Sequence, residues 1–228
     1  MSSYMTIPDI FSSWSTPSPL AGSGFDSRSS ENGLLVIMYG SLEHAAQFGW
    51  LNAGRTLVDK TYIRLLWQAK QLPTLGLTHH DIATQLELFI RAELQPKWAE
   101  LKHLTPDEAD QQAKILVRLA AHSIFGSVEQ EVAASWLLYY LCPQLPIFPI
   151  AEYCRKARLL KPLSDEINTY DDYHRASKDI HNKLRLHYEY PKASYGNNKE
   201  QVLIEQLLHH SDWWSRQCFH HYLLTWDK

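Results

Sequence analysis

The sequence has few cysteines, and their positions exclude two common uses of the residue. Cys142, Cys154 and Cys218 show no CxxC spacing, and three cysteines cannot all pair with one another. This usage indicates a reducing compartment and argues against a zinc knuckle. We therefore expect neither a disulfide-stabilised secreted fold nor a structural zinc site.

Glycine is scarce in most of the chain. Beyond Gly76, only Gly126 and Gly196 occur, and the sequence contains no Walker loop, GxGxxG or GxSxG motif. Phosphate-binding loops of those kinds need glycines at fixed positions. The scarcity also argues against long strands joined by tight hairpins after Gly76, because such turns favour glycine.

Long apolar runs and a strong net charge are missing as well. No apolar run approaches the roughly 18 residues of a membrane-spanning helix, and the N-terminus lacks the basic start and apolar core of a signal peptide. The formal net charge is −3, so any nucleic-acid surface must be local. We expect a cytoplasmic protein without membrane contact.

Twelve histidines are present, but their spacing does not fit a metal site. None lies in an HExxH motif, and neighbours on a helix point about 100° apart. We interpret them as surface or half-buried side chains, and we expect no metal and no cofactor. The adjacent pairs are His79-His80, His209-His210 and His220-His221.

Helical patterns account for most of the chain from residue 34 onward. Thr56–Gln71 has one broad apolar face, Thr78 can cap the next helix, and Pro96 is expected to stop it. Capping boxes at Thr105–Glu108 and Thr169–Asp172 mark two further helix starts. The sequence predicts an all-α fold with a single multi-helix domain over residues 34–228.

Residues 1–33 differ from the rest in composition. They contain ten serines, three prolines and three glycines. Such a segment buries too little apolar surface to offset the entropy of ordering it. We predict a flexible arm, although Ile10, Phe11, Trp14 and Phe25 are able to dock onto the domain.

Residues 105–150 form the centre of the predicted domain. A helix beginning at Pro106 runs to Phe125 and is followed by the lone Gly126. The run Val132–Leu141 is apolar on nearly every side, as in a helix buried all round. It leads into the proline-containing exit Leu145–Ile150. Trp136, in the middle of the run, is expected to be a core residue.

This segment resembles the helix-hairpin-helix core of DNA glycosylases, especially short prokaryotic proteins of the 8-oxoguanine glycosylase-like fold. The matching features are Gly126, the small residues Ala133–Ser135 before Leu137–Leu141, and the exit Leu145–Pro149. Asp212–Phe219 is similar to the aromatic, basic closing helix of those proteins. The resemblance covers about 40 residues and implies a domain with a helix-hairpin-helix-like core.

The catalytic positions of that family are not matched here. The family has a lysine nucleophile where this chain has Trp136, and an aspartate after the exit, where this chain has Phe148–Ile150. Glu152 is the nearest acid. The chemistry needs an amine and a carboxylate, so the resemblance implies a non-catalytic relative that binds DNA or joins a protein complex. We expect the chain not to be an enzyme, and a protein partner is expected beside possible DNA.

Two groups of residues are candidates for DNA binding. In the hairpin, a glycine permits a tight turn and the next helix offers unpaired N–H groups, which hold a phosphate without side-chain charge. An ordinary helix connection is the alternative there. Basic side chains follow the exit, in a predicted helix over Glu152–Leu160. The candidates are Gly126, Ser127, Val128, Arg155, Lys156 and Arg158.

Two other functions stay open. Arg175 and His181 have the spacing seen in HEPN ribonucleases, which the chain resembles only in this motif. Ala176 stands where that motif often has a polar residue, and six helical positions place the two side chains about 240° apart. The third possibility is a pure protein-interaction module, expected if Trp213, Trp214 and Trp226 are exposed.

Overall fold

A computed structural model gives the fold of residues 42, 43, 45, 46, 57–70, 72, 76–150, 169–188, 213, 216 and 219, with the side chains of 184–188 left aside. The predicted arm at residues 1–33 and the predicted basic helix at 152–160 lie outside these residues. The division into an arm and a domain therefore stays a prediction.

The described part of the chain is 79% helical and has no strand, which confirms the all-α fold. The α-helices with described bounds are α1 (Lys60–Lys70), α2 (His79–Phe89), α3 (Trp98–Leu101), α4 (Pro106–Phe125), α5 (Glu131–Leu141) and α6 (Tyr170–Tyr188). Helix α1 packs against α2, and α4 packs against α5. Helices α2 and α6 also contact α4.

Capping boxes fix the starts of α4 and α6, as the sequence predicts. At α4, the Glu108 backbone N–H donates to the Thr105 hydroxyl at 3.4 Å, and the Thr105 N–H donates to the Glu108 carboxylate at 2.9 Å. The Thr105 hydroxyl also donates to the Glu108 carboxylate at 2.6 Å, and this bond together with that from the Thr105 N–H lowers the pKa of Glu108. Thr169 and Asp172 cap α6 in the same way.

Two helix boundaries differ from those predicted from the sequence. The first helix begins at Lys60, because Asp59 Oδ1 accepts the N–H groups of Thr61 and Tyr62, both at 2.9 Å. The second ends as an α-helix at Phe89. It continues through a π turn (Ile90–Leu94) into a short 3-10 turn that contains Pro96. The proline lacks an N–H group, so the chain changes helix type before reaching it.

Helix α5 is the centre of the hydrophobic core. Every residue from Ala133 to Leu141 is buried, which confirms the predicted all-round burial of this helix. Trp136 is among the largest fully buried side chains. Around it, Tyr139 stacks on Trp213 with ring centroids 5.1 Å apart.

The described helices are amphipathic or short. None of them combines the length and the apolar character that crossing a membrane requires.

Candidate functional site

The connection between α4 and α5 depends on Gly126. This residue has φ 73°, a left-handed conformation, and its N–H donates to the carbonyl of His122 at 2.9 Å. A Cβ added at Gly126 would meet no atom within 4 Å. Glycine is therefore favoured by the backbone angle and not by lack of space.

The residues after Gly126 form the exposed tip of the connection. Ser127 Oγ accepts the N–H of Glu129 at 3.2 Å and caps a 3-10 turn, Val128–Gln130. Val128 is 58% exposed. Within the described part of the chain, no hydrogen bond takes up the N–H of Ser127 or Val128. Binding of an anion by these two donors stays a prediction.

Two acidic residues lie close to these donors, and they have different roles. Glu131 Oε2 accepts the backbone N–H of Tyr170 at 3.0 Å, so this carboxylate stabilises the start of α6. Glu129 is exposed and makes no side-chain hydrogen bond or ion pair with the described residues. Its negative charge opposes an anion at the tip, while it would favour a basic partner.

The exit from α5 is buried, and side chains hold its backbone. Carbonyls of three prolines accept hydrogen bonds from separate side chains. Tyr173 Oη donates to Pro149 at 3.1 Å, His174 Nε2 pairs with Pro146 at 2.8 Å, and Arg216 Nη2 donates to Pro143 at 2.9 Å. This arrangement lets an irregular segment lie in the core without leaving those carbonyls unpaired.

Trp136 closes the end of this exit. Its indole N–H donates to the carbonyl of Ile150 at 3.0 Å, and the N–H of Ile150 donates to Ser135 Oγ at 3.0 Å. The prediction that Trp136 is a core residue is confirmed by its 1% exposure. The Lys70 ammonium lies over its ring, 4.6 Å from the centroid. A tryptophan with these contacts fixes the exit and has no nucleophilic group to offer.

His174 is a buried titratable group that contacts the exit. It is 2% exposed, and its ring contacts Phe148 edge-on with centroids 5.4 Å apart. Burial lowers the pKa of His174 to about 4. The Asp110 carboxylate, 4.0 Å away, is already paired with Lys178. His174 is therefore a neutral donor that holds Pro146.

Arg175 and His181 are not brought together. The Arg175 side chain is 72% exposed and pairs with Asp172. His181 is 3% exposed, and its ring packs against Phe148 and Phe219 at 5.6 and 5.5 Å. One side chain faces solvent and the other the core, so the pair does not converge on a common substrate.

The remaining candidates fall in part outside the described residues. Arg155, Lys156 and Arg158 lie there, as do Trp214 and Trp226. Trp213 is fully buried, and its indole N–H donates to the carbonyl of Tyr139 at 3.1 Å. Exposure of Trp213, which would have favoured the protein-interaction hypothesis, is not observed.

Sequence reasoning did not anticipate the side chains that hold the exit. Tyr170, Tyr173, His174, Ser177 and His181 share the inner face of α6, and their helical spacing was the available signal. Among the residues described, no group of three or more metal-binding side chains occurs.

Comparison of the chain with protein-family models, with characterised proteins and with solved structures gives no match.

Proposed function

We propose that this chain is a non-catalytic, DNA glycosylase-like module that binds DNA through the hairpin tip Gly126–Val128. The observation that carries the non-catalytic part is Trp136. A buried indole, hydrogen-bonded to Ile150, occupies the position where the resemblance places a lysine nucleophile. Arg155, Lys156 and Arg158 are proposed as accompanying phosphate contacts.

The end of the exit supports the same proposal. The resemblance places a carboxylate there, whereas both backbone polar groups of Ile150 bond to α5 side chains. Neither of the two positions that the resemblance assigns to catalysis, Trp136 and the end of the exit at Ile150, carries the amine or the carboxylate that the chemistry needs.

Borohydride trapping on an oligonucleotide with an abasic site tests the lack of catalysis. We expect no covalent adduct with the wild-type protein, and none with Trp136→Lys, because the carboxylate is absent and the new amine is buried unpaired. Lys70→Ala is tested beside these proteins, because the Lys70 amine contacts the ring of Trp136. A wild-type adduct that Lys70→Ala abolishes would overturn the proposal.

Two substitutions that change the charge of the tip in opposite directions test its role. Gly126→Asp adds a negative charge beside the free N–H groups and should weaken DNA binding. Glu129→Gln removes a negative charge and should strengthen DNA binding by about two- to fivefold at low salt, which is the effect of one charge near a helix start. Fluorescence anisotropy with a labelled duplex measures both.

Matched controls separate charge from backbone strain. Gly76 has the same φ of 73° as Gly126, so Gly76→Asp introduces equal strain elsewhere. Glu100→Gln removes an exposed carboxylate from α3. If the tip variants change DNA affinity no more than these controls, the hairpin does not contact DNA.

A protein partner at the same tip is the second candidate, and a different observation favours it. Val128 is 58% exposed, and the neighbouring Glu129 carboxylate is unpaired among the described side chains. An exposed apolar residue beside a negative charge suits a basic protein surface better than a phosphate. In that case Glu129→Gln would not raise DNA affinity, and a photo-crosslinking residue at position 128 would label protein, not DNA.

A further inference from the structure

A cleft lies where the first turn of α1 meets the outer face of α2, apart from the hairpin tip. Its volume is about 590 Å³, and its exposed lining is mostly apolar. Sites for small ligands occupy roughly 300–1,000 Å³, so this cleft has a suitable size. Val58 and Ala83 form its buried floor, and Leu88, which is 56% exposed, forms one wall.

The two acidic side chains of the cleft are held by hydrogen bonds. Glu87 Oε2 accepts the backbone N–H groups of Leu57 and Val58 at 2.9 and 3.1 Å, while its Oε1 pairs with Arg91 at 2.9 Å. The Arg91 pair compensates the negative charge of Glu87. Asp59 Oδ1 accepts the N–H groups at the start of α1, which offsets part of the charge of that exposed carboxylate.

A cationic side chain at the rim has no ion pair of its own. Lys60 lines the cleft, is exposed and forms no ion pair with any described residue. The imidazole of His80 and the hydroxyl of Thr61 also line it. A ligand therefore meets the Lys60 ammonium, the side chains of His80 and Thr61, and an apolar surface.

We propose that this cleft binds a small anionic amphiphile, with its carboxylate at Lys60 and His80 and its hydrocarbon body against Val58, Ala83 and Leu88. The charge complementarity at the rim selects the anion, and burial of the hydrocarbon supplies the affinity. This site is independent of DNA binding by the hairpin.

Three probes that share one hydrocarbon chain test the charge preference. Octanoate, 1-octanol and octylammonium are titrated into the full-length protein below their aggregation limits, with binding followed by amide chemical shifts. We expect a millimolar or lower dissociation constant for octanoate, weaker binding of octanol and the weakest binding of octylammonium. Shifts should centre on the residues that line the cleft.

Two variants separate the charged from the apolar contact. Lys60→Gln should lower the affinity for octanoate by about two- to fivefold, the effect of losing one exposed ion pair, and should leave the affinity for octanol unchanged. Leu88→Ala should lower the affinity for all three probes. Lys183→Gln on α6 and Ile115→Ala on α4 are the controls, since both replace exposed side chains outside the cleft.

Three results would each overturn the proposal. One is the absence of shifts in the cleft. Another is equal binding of the three probes, which would show hydrophobic adsorption only. The third is octanoate binding that Lys60→Gln and Leu88→Ala change no more than the controls do. Both cleft residues are exposed, so unchanged thermal unfolding should show that the variants keep the fold.

Discussion

Helix α5 begins after an exposed turn built from residues close in sequence, whereas it ends in a buried segment held by residues far away in sequence. At its start, Gly126 bonds to His122 and Ser127 caps its neighbour Glu129. At its end, Arg216 reaches the carbonyl of Pro143 across 73 positions.

The comparison shows which end is able to change without loss of the fold. The tip depends on one backbone angle and is open to solvent, so its side chains are available for binding. The exit depends on several buried hydrogen bonds, each of which costs free energy when one partner is removed. We therefore expect substitutions at the exit to reduce stability and substitutions at the tip to alter binding.

The largest effect is expected at Trp136. Truncating a fully buried aromatic side chain costs about 3–5 kcal/mol, and Trp136→Ala also leaves the carbonyl of Ile150 without its donor. Urea denaturation measures the free energy of unfolding. Trp136→Phe keeps most of the side-chain volume and should lower the free energy of unfolding clearly less. A decrease below ~1 kcal/mol for the alanine variant would contradict the role assigned to Trp136 in holding the exit.

His174 should make the exit sensitive to acid. Its pKa is about 4 in the fold against about 6.5 in an unfolded chain. The folded state therefore binds fewer protons than the unfolded state. The stability that neutral His174 provides is complete above pH 6.5 and is lost as pH falls towards 4, by about 3 kcal/mol in all.

His174→Gln keeps a donor for Pro146 but does not titrate, so the pH dependence of unfolding should flatten over this range. His122→Gln is the control, because His122 is exposed on α4. Urea unfolding at several pH values gives the difference between each variant and the wild type. Parallel curves for His174→Gln and the wild type would mean that His174 is not buried neutral.

Two tyrosines provide a smaller, matched test. Tyr173→Phe removes the hydroxyl that donates to Pro149 and should cost about 1–2 kcal/mol. Tyr62 is also buried, but its hydroxyl has no hydrogen-bond partner in the described part. Tyr62→Phe should therefore be neutral or stabilising. Equal losses in thermal unfolding would show that the hydroxyl of Tyr173 contributes nothing to holding the exit.

The smallest effect is expected at the tip. Gly126→Ala forces a left-handed angle on a side chain and should cost about 1 kcal/mol. Gly126→Asn should cost less, because asparagine adopts this conformation more readily. Chemical denaturation distinguishes the two, and a loss as large as that of Trp136→Ala would remove the contrast between the ends of α5.

The sequence predicted the elements whose causes are local. The capping boxes at Thr105 and Thr169, the turn at Gly126 and the buried run around Trp136 each depend on neighbouring residues. The start of α1 at Lys60 was missed because Asp59 was not identified as its cap. The change of helix type before Pro96 was missed because a proline signals a break without specifying its form.

The contacts around the exit could not be read from the sequence. They join residues 14 to 73 positions apart, and no local pattern indicates which carbonyl a tyrosine or arginine will reach. The spacing of Arg175 and His181 was visible, but their opposite burial follows from how α6 packs. The helical angle of about 240° between them did indicate that they would diverge.

The hydrogen bond from Trp213 to Tyr139, across 74 positions, has a consequence for biosynthesis. A ribosome adds about 5–20 residues per second, so α5 emerges several seconds before the residues that cover it. During that interval Tyr139 and Tyr140 of α5 lack the ring of Trp213, and the residues after α5 lack their contacts with Arg216 and Phe219. A nascent chain stalled before residue 213 should therefore bind chaperones through residues 132–141, and release should follow once the chain extends past residue 219.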